Sequence, residues 1–485
     1  MRTDIRFFLT GQSRRIRDVA PHMTVLDWLR SEGLTAAKEG CAEGDCGACS
    51  ILLGIPEAAG EQFAWKVVTS CIMMLPQLDG TSVVTAEGLG GSVGSTSPMH
   101  PAQRLLAESH GTQCGYCSPG FAVALAALSR TQERDDESIM DMIAGNLCRC
   151  TGYRPILEAA RALPFIEAPP KETAMATALV TDCAEPLDYK ADGRRFTAPR
   201  TLESALAVLD EHPDAWILAG GTDLGLRLTK HHEEPECVLS LAHVPELNEI
   251  SRSEGETVIG AAVSYTDALE TVTELAPSFG DMIRRIGAAQ IRAMGTIGGN
   301  IGNASPIGDS LPPLMALDAV VDIASRRGRR TIPMHAFVAG YRKTVLEPGE
   351  IIVALRIPTP PTERLIRIYK IARRYDQDIS AVSAAFALDV ADGRVVRARV
   401  AFGGVADRPL RAQAVEDALT GRDWSLETVR AAAPAIRQSI SPIDDARGSA
   451  AYRNAVCVNL LERLWWETAG PDDVPHSLDA LGDAA

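Results

Sequence analysis

Hydrophobic and polar positions alternate differently in successive parts of the chain, and these changes predict where the domains lie. Up to about residue 86, apolar positions occur in short runs bounded by glycine and polar residues, as in small β domains. We therefore expect a small β-rich domain with one helix over residues 1–86. Its predicted elements are strands at 4–9, 14–20, 50–53 and 65–70, and a helix from Thr24, as N-cap, to Arg30.

From Pro101 the apolar positions take a helical spacing, and proline stands at or near the start of three segments. Four short helices with short connections predict a helical bundle, which we assign to residues 87–166. The predicted helices are Pro101–His110, Pro119–Arg130, Glu137–Leu147 and Pro155–Leu163.

A stretch with little periodicity follows, and it contains Ala168-Pro169-Pro170-Lys171. We expect a linker at 167–190, mixed α+β domains at 191–360 and 361–470, and a tail at 471–485. The predicted strands are 215–219, 236–240, 257–259, 365–371, 383–389 and 395–402. The predicted helices are 202–211, 265–275, 281–286, 412–419, 425–436 and 449–467.

Charge and cysteine content narrow the function. The chain has 48 Lys and Arg against 63 Asp and Glu, a net charge of −15, which argues against a nucleic-acid-binding protein. The N-terminus does not resemble a signal peptide, and no apolar stretch approaches the ~18 residues of a membrane span. We expect a cytoplasmic protein with no membrane contact. Its 11 cysteines should then be reduced, and their clustering suggests metal ligands.

The first cysteine group has the spacing of a plant-type ferredoxin. Cys41, Cys46 and Cys49 are followed by Cys71, which gives C-x4-C-x2-C…C, the pattern of a [2Fe–2S] cluster. Glycines within this loop allow tight turns and let amide N–H groups approach the sulfurs. A structural zinc site is the alternative, but zinc favours paired C-x2-C units.

The second group combines Cys114-x2-Cys117 with Cys148-x-Cys150 across a predicted helical hairpin. On spacing alone, this pattern fits a zinc site with four cysteines as well as an iron–sulfur cluster, and the neighbouring ferredoxin-like domain favours a second cluster. We also expect the helix N-terminus near Cys117 to favour its thiolate. The isolated cysteines, expected to be small buried side chains, are Cys183, Cys237 and Cys457.

Two glycine-rich segments suggest a nucleotide or flavin site, although the chain has no G-x-G-x-x-G and no Gly-Lys of a P-loop. One is the apolar strand end that runs into Gly220-Gly221-Thr222, and the other is 295–309. Both place backbone N–H groups beside small hydroxyl side chains, which can hold a pyrophosphate, and Asp309 is a candidate for a ribose hydroxyl. Ordinary turns at strand ends are the alternative.

In order along the chain, the plant-type loop, C-G-Y-C-S-P-G, G-N-L-C-R-C-T-G-Y, A-G-G-T-D-L and T-I-G-G-N-I-G-N-A-S-P-I-G-D resemble the xanthine dehydrogenase family. The resemblance extends from about residue 3 to about residue 468. It implies a multidomain α+β protein: a β-grasp ferredoxin domain, a four-helix [2Fe–2S] bundle, a two-part FAD-binding domain of the vanillyl-alcohol-oxidase type and a C-terminal flavoprotein subdomain. It also implies the small subunit of a two-chain bacterial enzyme.

The resemblance implies site residues by matching position. All eight clustered cysteines, Cys114, Cys117, Cys148 and Cys150 included, would then ligate two [2Fe–2S] clusters. Tyr341, in the motif 341–344, is expected at the flavin edge, and Asp378 is a candidate acid there. The implied FAD-binding residues are Leu218, Ala219, Gly220, Gly221, Thr222, Asp223, Leu224, Thr296, Gly298, Gly299, Asn300, Ser305, Asp309, Ile352 and Lys370.

The resemblance also implies partners. The family's molybdenum domain is missing, so purine oxidation would take place on a large molybdenum-cofactor subunit. The expected assembly is a dimer of heterodimers, with NAD+ as the electron acceptor. An aldehyde oxidase or carbon monoxide dehydrogenase type of enzyme shares the architecture, and a zinc-bound scaffold is a non-enzymatic alternative. The chain departs from animal-type members at Ile286, where they carry an aromatic residue, and near Gln377, where they carry an acid.

Overall fold

The computed structural model describes residues 1–57, 60–90, 98–132 and 134–470, which form two compact units. The first consists of Met1–Glu246, Ser264–Thr266 and Gly287–Thr296. The second consists of Leu247–Val263, Asp267–Ile286 and residues 297–470. Residues 191–360, expected as one domain, therefore contribute to both units. The expected tail at 471–485 lies outside the described residues.

The strands and helices are numbered in chain order. The strands are β1 Ile5–Leu9, β2 Gln12–Ile16, β3 Ser50–Pro56, β4 Phe63–Thr69, β5 Ser82–Val84, β6 Leu187–Ala191, β7 Arg194–Ala198, β8 Trp216–Leu218, β9 Cys237–Ser240, β10 Ile250–Arg252, β11 Glu256–Gly260, β12 Val320–Ser325, β13 Gly328–Pro333, β14 Val338–Gly340, β15 Lys343–Thr344, β16 Ile351–Pro358, β17 Leu365–Ile371, β18 Val382–Ala391, β19 Arg394–Gly403 and β20 Leu410–Arg411. The α-helices are α1 Val25–Ser31, α2 Pro101–Glu108, α3 Ser118–Leu128, α4 Asp136–Ala144, α5 Arg154–Arg161, α6 Lys171–Asp182, α7 Leu202–Glu211, α8 Leu224–Thr229, α9 Pro245–Asn248, α10 Tyr265–Leu275, α11 Pro277–Arg284, α12 Ala289–Arg292, α13 Ile297–Asn303, α14 Leu311–Ala316, α15 Met334–Phe337, α16 Gln413–Leu419, α17 Leu426–Ala431, α18 Ala433–Ser439 and α19 Ala450–Ala469.

The N-terminal sheet has the mixed order β2-β1-β5-β3-β4, in which only β1 and β5 are parallel. Helix α1 begins as predicted, because the Thr24 hydroxyl accepts a hydrogen bond from the Asp27 N–H at 3.1 Å. Its apolar face is buried, and Trp28 meets Phe7 edge to face at 5.4 Å. This mixed sheet with one packed helix is the expected β-grasp arrangement.

Four helices, α2 to α5, pack together as the predicted bundle. Helix α3 is the central one, since Phe121, Val123 and Leu125 are fully buried in the bundle core. Proline stands in the first turn of α2, α3 and α5, where its missing N–H costs no hydrogen bond.

We predicted a linker with little regular structure at 167–190, but this segment contains the 12-residue helix α6 and the start of β6. Glu172, Ala176 and Leu179 are buried, and buried Cys183 continues their spacing of four and three residues. This spacing is helical, but a short helix with one buried carboxylate carries a weak apolar signal. The helix packs against β1, β3 and β4.

The first unit contains a second sheet, in the order β6-β7-β9-β8, whose last three strands are mutually parallel. The apolar residues of this sheet, Leu218 and Val238 among them, belong to the same buried core as those of the β-grasp sheet. The end of β8 leads directly into Gly220-Gly221.

The second unit contains an antiparallel sheet in the order β10-β11-β16-β12-β13 and a meander in the order β17-β18-β19-β20. Helices α16 and α19 cover the meander, and α18 packs against both of these helices. Phe386, Phe402 and Leu461 are fully buried in this core. Helix α14 packs on β18 and β19 as well. The part of the chain that the structure describes contains no helix long and apolar enough to cross a membrane.

Candidate functional site

The β-grasp fold brings the first four cysteines together. Cys49 immediately precedes β3, and Cys71 lies two residues after β4, in a short 3-10 helix at Ser70–Ile72. Ser50 pairs with Thr69 across the two strands, and the Ser70 hydroxyl donates to the Cys49 carbonyl at 2.7 Å. The pairing register therefore sets Cys71 beside a loop that lies more than twenty residues earlier.

The four thiols contact one another in pairs. Hydrogen bonds from the Cys46 and Cys71 thiols hold the pKa of Cys41 far below its usual range. The same contacts raise the pKa of Cys71, whose thiol donates to Cys41 and Cys49. The backbone N–H groups of Glu43 and Cys46 each point at the Cys41 sulfur at 3.4 Å. Such N–H···S contacts are the kind that stabilise a thiolate-bound iron–sulfur centre.

Glycines in this loop leave space that a side chain would fill. A Cβ at Gly40 would lie 2.7 Å from the Cys46 sulfur, and one at Gly47 would lie 2.2 Å from the Gly145 carbonyl oxygen. Gly44 and Gly47 also have positive φ angles of 87° and 66°. The residues present thus fit a compact four-thiolate cradle.

The second four cysteines stand at helix ends in the bundle. Cys117 is the N-cap of α3, and Cys148 and Cys150 lie in the loop after α4. The Cys148 N–H donates to the Tyr153 hydroxyl at 2.9 Å, which fixes this loop against the start of α5. Cys114 shares a hydrogen bond with Cys150, and Cys117 shares one with Cys148.

At Cys117, other contacts outweigh the helix N-terminus that we expected to favour its thiolate. Burial and the Cys148 thiol raise the pKa of Cys117 to about 12, which outweighs the helix end. Cys114 behaves oppositely, because the N–H of Tyr116 lowers its pKa. Within the described ranges, no group of three or more His, Cys, Asp or Glu side chains is arranged around a single metal ion.

The two cysteine groups meet inside the first unit. The Leu147 N–H, next to Cys148, donates to the Cys46 carbonyl at 3.0 Å. The buried Asn146 amide donates to the Gly47 carbonyl at 2.9 Å, and the buried Gln290 amide donates to the Asn146 oxygen at 3.0 Å. One ligand loop is thus hydrogen-bonded directly to the other.

The first predicted flavin loop also lies in the first unit. Leu218 is buried at the end of β8, and a Cβ at Gly220 would lie 1.8 Å from the Met294 carbonyl oxygen. Gly221 has a φ of 83°, which favours glycine. The position of a Cβ at Gly295 lies 3.3 Å from the Thr222 hydroxyl, so the loop and the residues just before Thr296 come together.

The second predicted flavin segment lies in the second unit, and it is not simply a loop. Residues Ile297–Asn303 form helix α13, and the glycine at 298 lets this helix pack closely on its neighbour. A Cβ at Gly298 would lie 2.3 Å from the Ala261 carbonyl oxygen. The Asn300 side chain accepts a hydrogen bond from the Ser310 hydroxyl at 2.7 Å.

Asp309 and Lys370 form a buried ion pair at 2.7 Å. The second Asp309 oxygen accepts from the Ser380 hydroxyl at 2.5 Å, and Lys370 also donates to the Arg285 carbonyl at 2.8 Å. A ribose hydroxyl bound to Asp309 would have to share an oxygen with one of these partners. Ile352 is buried in β16, and Ser305 is buried after α13.

The flavin-edge candidates are on the surface of the second unit. Tyr341 is 63% exposed, and Asp378 accepts from the backbone N–H groups of Arg373 and Arg374 at 2.9 and 3.0 Å. Burial opposes ionisation of Asp378, but these hydrogen bonds lower its pKa overall. Arg374 also pairs with Asp378 at 3.5 Å.

Four family models match the chain. The "2Fe-2S iron-sulfur cluster binding domain" matches residues 7–75, and the "[2Fe-2S] binding domain" matches 85–161. The "FAD binding domain in molybdopterin dehydrogenase" matches 190–360, and the "CO dehydrogenase flavoprotein C-terminal domain" matches 367–468.

Whole proteins that resemble the chain do so over most of its length. It is 30% identical to xanthine dehydrogenase 1 of Arabidopsis thaliana, over 92% of this chain and 38% of that protein. It is 29% identical to xanthine dehydrogenase of Emericella nidulans, over 95% of this chain and 38% of that protein. The chain thus spans well under half the length of these relatives.

Two solved structures match in fold as well. A chain of quinoline 2-oxidoreductase from Pseudomonas putida 86 is 32% identical, with a TM-score of 0.52, over 56% of this chain and 95% of that one. A chain of carbon monoxide dehydrogenase from Hydrogenophaga pseudoflava is 31% identical, with a TM-score of 0.53, over 55% of this chain and 94% of that one. The chain belongs to the xanthine dehydrogenase family of molybdenum hydroxylases. The predicted multidomain α+β class, the two [2Fe–2S]-binding domains and the FAD-binding domain are thereby confirmed.

Sequence reasoning missed several polar residues that surround the cysteines of this xanthine dehydrogenase family member. Gln290 has no motif of its own and lies 144 residues from Asn146, its hydrogen-bond partner. Thr229 and Lys230 have no motif either, and they contact the first cysteine loop from the end of α8. Asn146 differs, because it stands in the motif G-N-L-C-R-C-T-G-Y, two residues before Cys148.

Proposed function

We propose that this chain is the electron-transfer and NAD+-reducing subunit of a xanthine dehydrogenase. Oxidation of hypoxanthine to xanthine, and of xanthine to urate, would take place at a molybdenum cofactor on a partner chain. Electrons would then cross the bundle cluster, the plant-type cluster and FAD to reach NAD+. The observation that carries the electron-transfer role is the hydrogen bond from the N–H of Leu147, the neighbour of Cys148, to the carbonyl of Cys46. The likeness to xanthine dehydrogenases over more than nine-tenths of this chain supports the choice of substrate.

The proposed cluster ligands are the eight cysteines of the two groups. Cys41, Cys46, Cys49 and Cys71 would hold one [2Fe–2S] cluster, and Cys114, Cys117, Cys148 and Cys150 would hold the other. A bound [2Fe–2S] cluster accepts and passes on one electron at a time. The chain's own part is to keep the two ligand loops in direct contact, through Leu147 and Asn146.

For FAD we propose the residues matched to the family. Thr222 and Asp223, after the close turn at Gly220, would hold its phosphates through backbone N–H groups and a hydroxyl. Lys370 and Asp309 would act together, because their ion pair fixes the lysine while Ser380 holds the second carboxylate oxygen. The other proposed contacts are Leu218, Ala219, Gly221, Leu224, Thr296, Gly298, Gly299, Asn300, Ser305 and Ile352, with Tyr341 and Asp378 at the flavin edge.

The assembly is also a proposal. The relatives matched here are much longer than this chain, and the structural relatives include enzymes described with a molybdenum cofactor. We propose a large molybdenum-cofactor subunit as the partner, in a dimer of heterodimers, located in the cytoplasm. The exposed Cys114 and Cys150 are compatible with transfer from a separate chain.

A second molybdenum hydroxylase of the same architecture is the main alternative. Two observations favour it: the C-terminal match carries the name of CO dehydrogenase, and CO dehydrogenase and quinoline oxidoreductase chains match over 94% and 95% of their length. Relatives that cover more than nine-tenths of this chain include xanthine dehydrogenases, which supports the xanthine type.

The test is to express the chain with its partner and measure substrate-dependent NAD+ reduction beside oxygen uptake. Xanthine, an aldehyde and carbon monoxide should be compared on one preparation. We expect xanthine to drive NAD+ reduction, with two distinct EPR signals from reduced [2Fe–2S] clusters. Activity with an aldehyde or carbon monoxide alone would overturn the xanthine assignment, and a colourless zinc protein would overturn the electron-transfer role.

A further inference from the structure

The end of helix α8 lies directly on the plant-type cysteine loop, within the first unit. The Thr229 hydroxyl donates to the Ala42 carbonyl at 2.7 Å, and the Lys230 ammonium donates to the Cys41 carbonyl at 2.5 Å. Lys230 also forms an ion pair with Glu43 at 3.3 Å. Three consecutive residues of the loop are thus held by two consecutive residues of another domain.

This contact stabilises a backbone conformation that is otherwise unfavourable. Ala42 has a φ of 53°, which a residue with a Cβ rarely adopts. The conformation has a purpose in the loop, because it turns the N–H groups of Glu43 and Cys46 towards the Cys41 sulfur at 3.4 Å. Thr229 and Lys230 therefore help to orient the amides that face a proposed cluster ligand.

The same contact places one positive charge beside that ligand. Reduction of a cluster adds one negative charge, so a nearby cation stabilises the reduced form and a nearby anion destabilises it. Lys230 and Glu43 have opposite signs, and only Lys230 donates to the ligand's own carbonyl. Their side chains are 40% and 44% exposed, so solvent and salt screen part of the effect.

We propose that Lys230 raises the reduction potential of the plant-type cluster and that Glu43 partly offsets it. The inference goes beyond the electron-transfer role and rests on the proposed assignment of Cys41 as a cluster ligand. Lys230 is a positioning and charge-setting residue that acts through the cysteine loop. It determines how readily the cluster takes an electron from the bundle cluster.

The test is an EPR-monitored redox titration of both clusters in the iron-loaded full-length chain. In Lys230→Gln, the equilibrium constant for reducing the plant-type cluster should fall three- to tenfold, and a tenfold change corresponds to about 59 mV for one electron. Glu43→Gln should shift the same cluster in the opposite direction. Lys230→Arg should restore the wild-type value, since it keeps the charge.

The controls separate a charge effect from general damage. Lys190→Gln removes an exposed lysine that pairs with Asp188 instead, and it should leave both potentials unchanged. The bundle cluster should not shift in any of these variants. The difference in the reduction potential of the plant-type cluster between wild type and Lys230→Gln should become smaller at high salt.

Two outcomes would overturn the inference: no shift in Lys230→Gln, or equal shifts in both clusters. If the Lys230→Gln variant does not bind its plant-type cluster, the Glu43→Gln variant tests the proposal instead. A reduction potential that does not rise in Glu43→Gln then overturns the proposal. A wild-type chain that lacks a plant-type EPR signal would instead overturn the ligand assignment. The two failures are therefore distinguishable.

Discussion

The two cysteine groups have different surroundings, although each has four thiols. In the plant-type group, Cys49 and Cys71 are 1% and 3% exposed, and glycines, amide N–H groups and the end of α8 enclose the loop. In the bundle group, Cys114 and Cys150 are exposed at helix ends. Two thiols of the enclosed group are therefore shielded from solvent, whereas two thiols of the exposed group are open to it, and solvent access is one of the factors that set the potential of a bound cluster.

The largest expected effect comes from removing a ligand of the enclosed group. Cys71→Ser should abolish the plant-type EPR signal and about half of the bound iron, because a serine hydroxyl is a poor substitute for a thiolate in a cluster. The bundle signal should persist, since its cysteines lie on separate helices. Cys237→Ala is the control, because Cys237 is a buried cysteine outside both groups. Loss of both signals in Cys71→Ser would contradict the independence of the two sites.

A glycine in each group allows a matched comparison of crowding. Gly47 and Gly115 have φ angles of 66° and 79°, so alanine is strained at both, by about 1 kcal/mol. A Cβ at Gly47 would also lie 2.2 Å from the Gly145 carbonyl oxygen, whereas nothing lies within 4 Å of one at Gly115. Crowding should add about 2 kcal/mol at Gly47 alone. Urea unfolding of Gly47→Ala and Gly115→Ala would test this, and equal losses would show that the contact is loose.

The buried amides that join the two groups should contribute less. Asn146→Leu removes one of the donors to the Gly47 carbonyl, which keeps those of Ser50, and it takes the Asn146 acceptor from the buried Gln290 amide. It should cost about 2 kcal/mol of unfolding free energy. Gln290→Leu should cost a similar amount, and the double variant less than the sum, because the two amides are hydrogen-bonded to each other. A double-mutant cycle in urea measures this coupling. Strict additivity would show that the two amides act separately.

Local signals in the sequence predicted the elements that depend on near neighbours. Thr24 caps α1 as expected, and the isolated cysteines Cys183, Cys237 and Cys457 are buried as expected. The cysteine spacings also predicted the groups, because three ligands of the first loop lie within nine residues. The helix at α13 was missed, since its glycines suggested a loop when considered without their packing partner Ala261.

Contacts between distant segments could not be predicted from the sequence. Gln290 and Asn146 are separated by 144 residues, and Lys230 and Cys41 by 189. A lone glutamine or lysine has no spacing that would indicate its partner. Which residues enclose a ligand loop is decided by domain packing, and no local pattern of apolar positions encodes it.

The smallest expected effect concerns the reactivity of the thiols once iron is removed. After chelation, Cys114 should react with iodoacetamide at least about tenfold faster than the buried Cys49 and Cys71, because the thiolate must be both formed and accessible. Cys150 is exposed too, but the Cys114 thiol raises its pKa, so it should react more slowly than Cys114. Cys117 separates the two causes. It is only partly buried, but its pKa of about 12 should leave it largely protonated and slow to react at pH 8. The rate at Cys117 should keep rising with pH after the rate at Cys114, whose pKa is lowered, has levelled off.

Mass spectrometry of the labelled peptides gives the rate at each cysteine. A Cys117 that reacts as fast as Cys114 at pH 8 would show that the bundle group opens without its metal, and the contrast between an enclosed and an exposed group would then describe only the iron-loaded protein.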